Sequence, residues 1–92
     1  KEDPRHFEAH YNLANLYAEV GNLPLAKLHY QMSIEIEPTF PNSHFNLGLT
    51  LAMNKEIDEA IQALLTYRNL VTYEEDKAQV EELIRSLTSS IR

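Results

Sequence analysis

The sequence predicts an all-α fold: an α-solenoid of two antiparallel helix hairpins plus a C-terminal capping helix, about five helices in all. Three observations predict it. Apolar residues recur at spacings of three and four rather than two, the mark of helices with one buried face. The 92 residues hold two glycines and four prolines, too few turn formers for a sandwich or barrel. The chain also matches itself when shifted by 34 residues, a period typical of stacked helix pairs.

The elements follow in order. In the first, Phe7, His10, Tyr11, Leu13, Ala14, Tyr17 and Val20 keep a helical rhythm, and Gly21-Asn22 ends it with a pair suited to a left-handed C-cap. The second runs through Leu23, Ala26, Tyr30, Ser33 and Ile34. Pro24 is tolerated in its first turn because the N–H it lacks would be unbonded there, and Pro38 and Pro41 terminate it. Phe45, Leu47, Gly48, Leu51 and Ala52 make the third block, ending near Asn54, and the fourth runs from Ile57 through Ala60, Ile61, Leu64, Leu65 and Arg68 to Val71. The last helix spans 74–92, with Val80, Leu83, Ile84, Leu87 and Ile91 in one stripe and Lys77, Glu81, Arg85 and Ser89 opposite. Glu81 and Arg85 stand at pairing distance, and Thr72-x-x-Glu75 has capping-box spacing. Glu74, Glu75 and Asp76 suit the positive end of the helix dipole.

Under the 34-residue shift His10 meets His44, Asn12 meets Asn46, Leu13 meets Leu47, Ala18 meets Ala52 and Ala26 meets Ala60. Tyr11 with Phe45, Ala14 with Gly48 and Leu23 with Ile57 are near matches, and Pro4 lands on Pro38 with an acidic residue before each. Ala14, Gly48, Ala26 and Ala60 supply the small side chains that let helices cross closely. The spacing of Leu13, Ala14, Tyr17, Gly21, Ala26, Tyr30, Ser33 and Pro38, repeated by Leu47, Gly48, Leu51, Ala60 and Leu64, resembles the tetratricopeptide repeat over roughly residues 4–71. The resemblance implies a right-handed solenoid forming one domain over 1–92, with repeat 1 over 4–38, repeat 2 over 39–72 and the capping helix over 73–92.

The second unit departs from the family pattern. Lys55 replaces the turn glycine, Tyr67 a usual small residue and Thr72 the closing proline, departures that leave the fold intact but imply an irregular exit from the second unit. Continuing the register puts Glu81, Glu82 and Arg85 where the family has Leu, a small residue and Tyr, so the last helix reads as a cap rather than a third repeat. Lys1 to Arg5 read as the tail of an earlier repeat, with Pro4 as an ordinary helix-start proline the alternative, and the chain is expected to be a piece of a longer protein.

Composition narrows the function. A net charge of -6 repels a phosphate backbone, so no nucleic-acid partner is expected, and no run approaches the ~20 apolar residues of a membrane span. Without cysteine there is neither a disulfide framework nor a thiolate metal site. The compartment stays unassigned, with a soluble, cytoplasmic protein the expectation; the chain begins at Lys1 without a Met, so a targeting segment would be missing from an excised piece. No enzyme and no cofactor are expected. Ser43 and His44 are adjacent, but helix neighbours point apart and no strand-turn-helix elbow surrounds them. His6 and His10 stand four apart, with Glu2, Asp3 and Glu8 nearby, yet a zinc site needs further ligands in fixed geometry. His10 and His44 read as packing residues, and His29 as a residue of the solvated outer face.

The family resemblance implies a concave face lined by the first helix of each pair. Carried over position by position, it comprises Glu8, Tyr11, Asn12, Asn15, Ala18 and Glu19, then Asn42, Phe45, Asn46, Leu49, Ala52 and Met53. The peptide-binding set within it is Tyr11, Asn12, Asn15, Glu19, Asn42, Phe45, Asn46, Leu49 and Met53. Tyr11 and Phe45 offer flat apolar contact, the asparagines both donors and acceptors, and Met53 an adaptable surface. One subset of the family clamps a ligand's C-terminal carboxylate with asparagines and Lys or Arg. Asn15 and Asn46 match its asparagines, but Tyr11, Asp76 and Val80 stand where its cations belong, so this mode is not expected. The expected function is a non-catalytic protein-protein interaction module holding a peptide of a partner protein. The alternative is a structural piece that self-associates or docks within a longer scaffold through its N-terminal end around Phe7 and Tyr11.

Overall fold

The computed structural model describes residues 6–90. Five helices follow in order: α1 (His6–Glu19), α2 (Leu23–Ile36), α3 (Pro41–Met53), α4 (Ile57–Leu70) and α5 (Glu74–Ser90). α1 packs on α2 and α3 on α4 as hairpins, α2 stacks on α3, and α5 lies against α4, which makes an all-α solenoid. Among the described residues there is no strand, and no helix is long and apolar enough to cross a membrane. Lys1 to Arg5, read as the tail of an earlier repeat, and Ile91 of the last stripe lie outside the described residues.

The repeat is visible in the turns. After α1, Gly21 takes φ +82°, its N–H donates to the Ala18 carbonyl at 3.1 Å, and the Asn22 N–H donates to the Tyr17 carbonyl at 2.8 Å. These two bonds form a Schellman cap. After α3 the same pair recurs, from Lys55 to Ala52 at 3.0 Å and from Glu56 to Leu51 at 2.9 Å. Lys55 enters the left-handed region at φ +65° to make them, and a residue with a Cβ is strained there. The missing glycine therefore leaves the turn's geometry unchanged and is felt as backbone strain.

The crossings depend on small residues, as expected. Ala14, Ala26 and Ala60 have no exposed surface. A Cβ added at Gly48 would sit 2.7 Å from Leu64 Cδ2 and 3.3 Å from the Ala60 carbonyl oxygen, so a side chain there would force Leu64 to move and press on the α4 backbone. The equivalent pair in the first hairpin is Ala14 and Tyr30. The hairpins meet through a polar contact sealed from water: Ser33 Oγ and Ser43 Oγ are both fully buried and lie 2.9 Å apart. His44 Nε2 donates to the Pro38 carbonyl at 2.8 Å, so the adjacent Ser43 and His44 are both committed to joining α2 to α3.

Several local expectations are corrected. His29 is not on a solvated face. It is half-buried, stacked 5.4 Å from His10 and 5.5 Å from Tyr17 with interplanar angles of 19° and 20°, and its Nδ1 shares a hydrogen bond with His10 Nδ1 at 3.2 Å. Pro41 does not close α2 but opens α3, as Pro24 opens α2. α5 starts after Tyr73, whose carbonyl accepts from Lys77 N–H, so Thr72 lies one residue too early to cap the helix. Glu81 does not pair with Arg85: it accepts from Arg68 of α4 at 2.7 Å, and Arg85 turns to Glu82 at 2.9 Å. A three-residue link joins α4 to α5 where four residues join α2 to α3, which is the irregular exit implied by Thr72. Tyr67 fills its larger-than-usual place by packing on Phe45 at 4.9 Å.

Two measurements test this account. Lys55→Gly relieves the left-handed strain and raises stability by about 1 kcal/mol, a melting rise of roughly 4–8 °C in a domain of this size. Ala26→Leu and Ala60→Leu each lower stability by about 1–3 kcal/mol through overpacking at the crossings. Parent-like melting of both leucine variants would contradict the register.

Candidate functional site

α1 and α3 lie side by side with their inward faces joined by polar side chains. Asn15 Oδ1 accepts from the Tyr30 hydroxyl and from Asn46 Nδ2, the latter at 3.1 Å. Asn46 Nδ2 also donates to the Tyr11 hydroxyl at 3.1 Å. Tyr11, Asn46, Asn15 and Tyr30 therefore form a chain of hydrogen bonds across α1, α3 and α2. Sequence reasoning assigned Asn15 and Asn46 to a ligand's backbone. The structure gives Asn15 Oδ1 two donors from within the chain and Asn46 Nδ2 two acceptors.

Above this chain is a shallow depression of about 300 Å³, lined by Asn15, Ala18, Glu19, Tyr30, Asn46, Leu49, Thr50 and Met53. Of the nine peptide-binding candidates, five line it: Asn15, Glu19, Asn46, Leu49 and Met53. The rest sit elsewhere. Asn12 and Asn42 are exposed outside the lining, Phe45 turns to Tyr67, and Tyr11 is half-buried with its ring 5.1 Å from Phe40. Phe40 wedges edge-on against both Phe7, at 5.1 Å, and Tyr11, so the aromatic N-terminal end expected to dock a partner is already packed.

Tyr30, Thr50 and Phe40 were missed as contributors. Tyr30 belongs to the core stripe by spacing, yet a buried tyrosine needs a partner for its hydroxyl, and that requirement points to a polar neighbour across the hairpin. Thr50 Oγ1 donates back to the Asn46 carbonyl at 2.9 Å, so it enters the floor as an apolar methyl. Nothing in the repeat spacing singles out Phe40.

Glu19 is the one charged side chain of the lining, and no Lys or Arg faces it there. Val80 and Asp76 stand at two of the positions where a carboxylate clamp would carry its cations. Val80 is 1% exposed, and Asp76 faces Tyr67, whose phenol it helps to keep protonated after burial itself. Burial, aided by the neighbouring Tyr11, pushes the Tyr30 phenol from 10.0 up to about 12. The sign follows. Folding holds this proton, so the associated stability is complete below pH 10.0 and is lost as pH rises toward 12.

An alkaline titration read by tyrosinate absorbance therefore shows a step near pH 12 that Tyr30→Phe deletes, and the pH-dependent loss of stability is shallower in that variant. Asn15→Ala leaves the Tyr30 hydroxyl buried without its acceptor and costs about 1–3 kcal/mol in a denaturant melt. An unchanged midpoint would show the network to be energetically idle.

Comparison with known proteins gives a consistent result. The tetratricopeptide repeat pattern matches residues 7–40, and a second form of it matches residues 29–62. The human protein O-mannosyl-transferase TMTC4 is 48% identical over 40 residues, 44% of this chain and 5% of that protein. Hsp70-Hsp90 organizing protein 1 of Glycine max is 26% identical over 91 residues, 99% of this chain and 15% of that protein. The chain thus spans a small part of each of these relatives. The solution structure of a tetratricopeptide repeat domain protein from Salinibacter ruber superposes with a TM-score of 0.79 at 18% identity, covering 94% of this chain and 90% of that one.

Proposed function

Because the chain belongs to the tetratricopeptide repeat family, we propose that it is a non-catalytic protein-interaction module that holds a peptide of a partner protein on the α1–α3 face. The observation that carries this reading is the depression itself, where exposed Met53 and half-buried Leu49 stand over a floor already fixed by hydrogen bonds. A preorganised floor loses little entropy on binding. Leu49 and Met53 suit an apolar side chain of the ligand, and Glu19 suits a cation one or two residues away. Asn12, exposed on the next turn of α1, has amide groups available for a peptide backbone. Asn15 and Asn46 serve here as the frame, with spare lone pairs and protons as secondary contacts. A C-terminal carboxylate is a poor ligand, since no cation lines the depression to receive it. The net charge of -6 favours a neutral or basic protein segment over nucleic acid.

A peptide-library selection on the immobilised domain tests the reading. The parent enriches peptides that pair an apolar residue with a nearby Lys or Arg. Met53→Asp loses them, and Glu19→Lys removes the basic preference while retaining the fold by circular dichroism. No enrichment, or enrichment indifferent to both variants, rejects the groove.

A further inference from the structure

We propose that Tyr30 is the positioning residue of the α1–α3 face: through the Asn15 and Asn46 amides it fixes the direction in which a partner's segment lies. The proposal rests on the groove reading and adds to it the order of the ligand's residues.

The argument starts from a buried hydroxyl. Tyr30 is 2% exposed, and among the described residues its hydroxyl bonds to Asn15 Oδ1 alone. Burial pushes the phenol up to about 12, so at neutral pH the oxygen carries a hydrogen that needs an acceptor. With the Asn15 amide turned over, that hydrogen would meet an NH2 group, and a buried donor would be left unpaired. The sense of one amide then dictates the other. Asn15 Oδ1, turned inward, takes a hydrogen from Asn46 Nδ2 at 3.1 Å, and the second hydrogen of Asn46 goes to the Tyr11 hydroxyl at 3.1 Å. Tyr11 is half-buried and its hydroxyl serves as donor or acceptor, so it suits either sense. Tyr30 suits only one.

What remains outward follows by subtraction. Asn15 keeps both hydrogens of Nδ2, and Asn46 keeps both lone pairs of Oδ1. Among the described residues Arg68 Nε is the one buried side-chain nitrogen or oxygen without a partner, so these two amide ends are open to solvent. Both residues line the depression. An extended residue presents its own N–H and C=O toward the same side. Its carbonyl faces Asn15 on α1, and its N–H faces Asn46 on α3. Within a residue the chain runs from N–H to carbonyl, so the segment crosses from α3 to α1 in its N-to-C direction. Leu49 and Met53 stand on α3 and Glu19 on α1. The apolar residue of the ligand therefore precedes its Lys or Arg in sequence.

The peptide-library selection, read for residue order, tests this. The parent enriches peptides with the apolar residue before the basic one by about tenfold over the reversed order. Tyr30→Phe, folded by circular dichroism, frees both amides to turn over and takes the two orders within about twofold of each other. Tyr11→Phe removes a hydroxyl from the same chain of bonds yet keeps the parental order, because Tyr30 still holds Asn15. A loss of structure alone would treat the two variants alike. Exchange of the side-chain amides checks the sense without a ligand: Asn46 Nδ2 exchanges its hydrogens more slowly than Asn15 Nδ2 in the parent, and Tyr30→Phe removes the difference. Parental peptides of reversed or mixed order, an order unchanged in Tyr30→Phe, or slower exchange at Asn15 overturns the proposal and leaves the groove standing. A parent that enriches no peptide rejects the groove itself, and the proposal with it.

Discussion

The packing of small residues, Ala14 and Ala26 in the first hairpin and Gly48 and Ala60 in the second, sets the spacing on which every other feature is built. At these points side-chain volume is almost nothing, so the helices of each hairpin approach closely and the large residues are displaced to either side. Leu64 and Tyr30 fill one side. On the other, the approach of the hairpins brings Ser33 against Ser43, a hydroxyl pair that fits only where neither backbone is held apart. Because the same spacing occurs twice, α1 and α3 end up parallel and adjacent, which is what gives the molecule a lined face.

That face shows how one set of residues divides between holding and binding. Asparagines in the first helices were assigned to ligand contact, yet Asn15 and Asn46 cross-brace three helices and satisfy a buried tyrosine. An amide is suited to both tasks because it carries two donors and two lone-pair sites, and using some of them for the frame fixes the direction of the rest. The residues left to vary contact without disturbing the brace are those outside the network, Leu49, Met53, Glu19 and Asn12.

Helix number, hairpin order and the small residues at the crossings were all legible in the sequence, because each is set by local periodicity and a repeat that samples the same environment twice. Lys55 shows where this reading stops. The capping bonds to Ala52 and Leu51 stay in place without the glycine, and what the repeat spacing does not show is that Lys55 itself takes the left-handed backbone to make them. His29 shows another limit: an isolated polar residue on a helix reads as solvated until a second ring, here His10, is known to lie across from it. The candidate site was legible as a list of helix faces but not as a hydrogen-bond pattern, since which asparagine meets which tyrosine depends on the crossing angle. The partners of Arg68 and Glu81 escaped for the same reason, being 13 residues apart on different helices.

The strained turn at Lys55 also bears on the order in which the molecule comes apart. Both hairpins close with the same pair of capping bonds, but only the second holds back free energy in its backbone, and that energy is released when α3 and α4 separate. In an array whose units touch only their neighbours, the unit with the least to lose opens first. The left-handed turn at Lys55 therefore lowers the cost of separating α3 from α4 relative to a glycine at the same place.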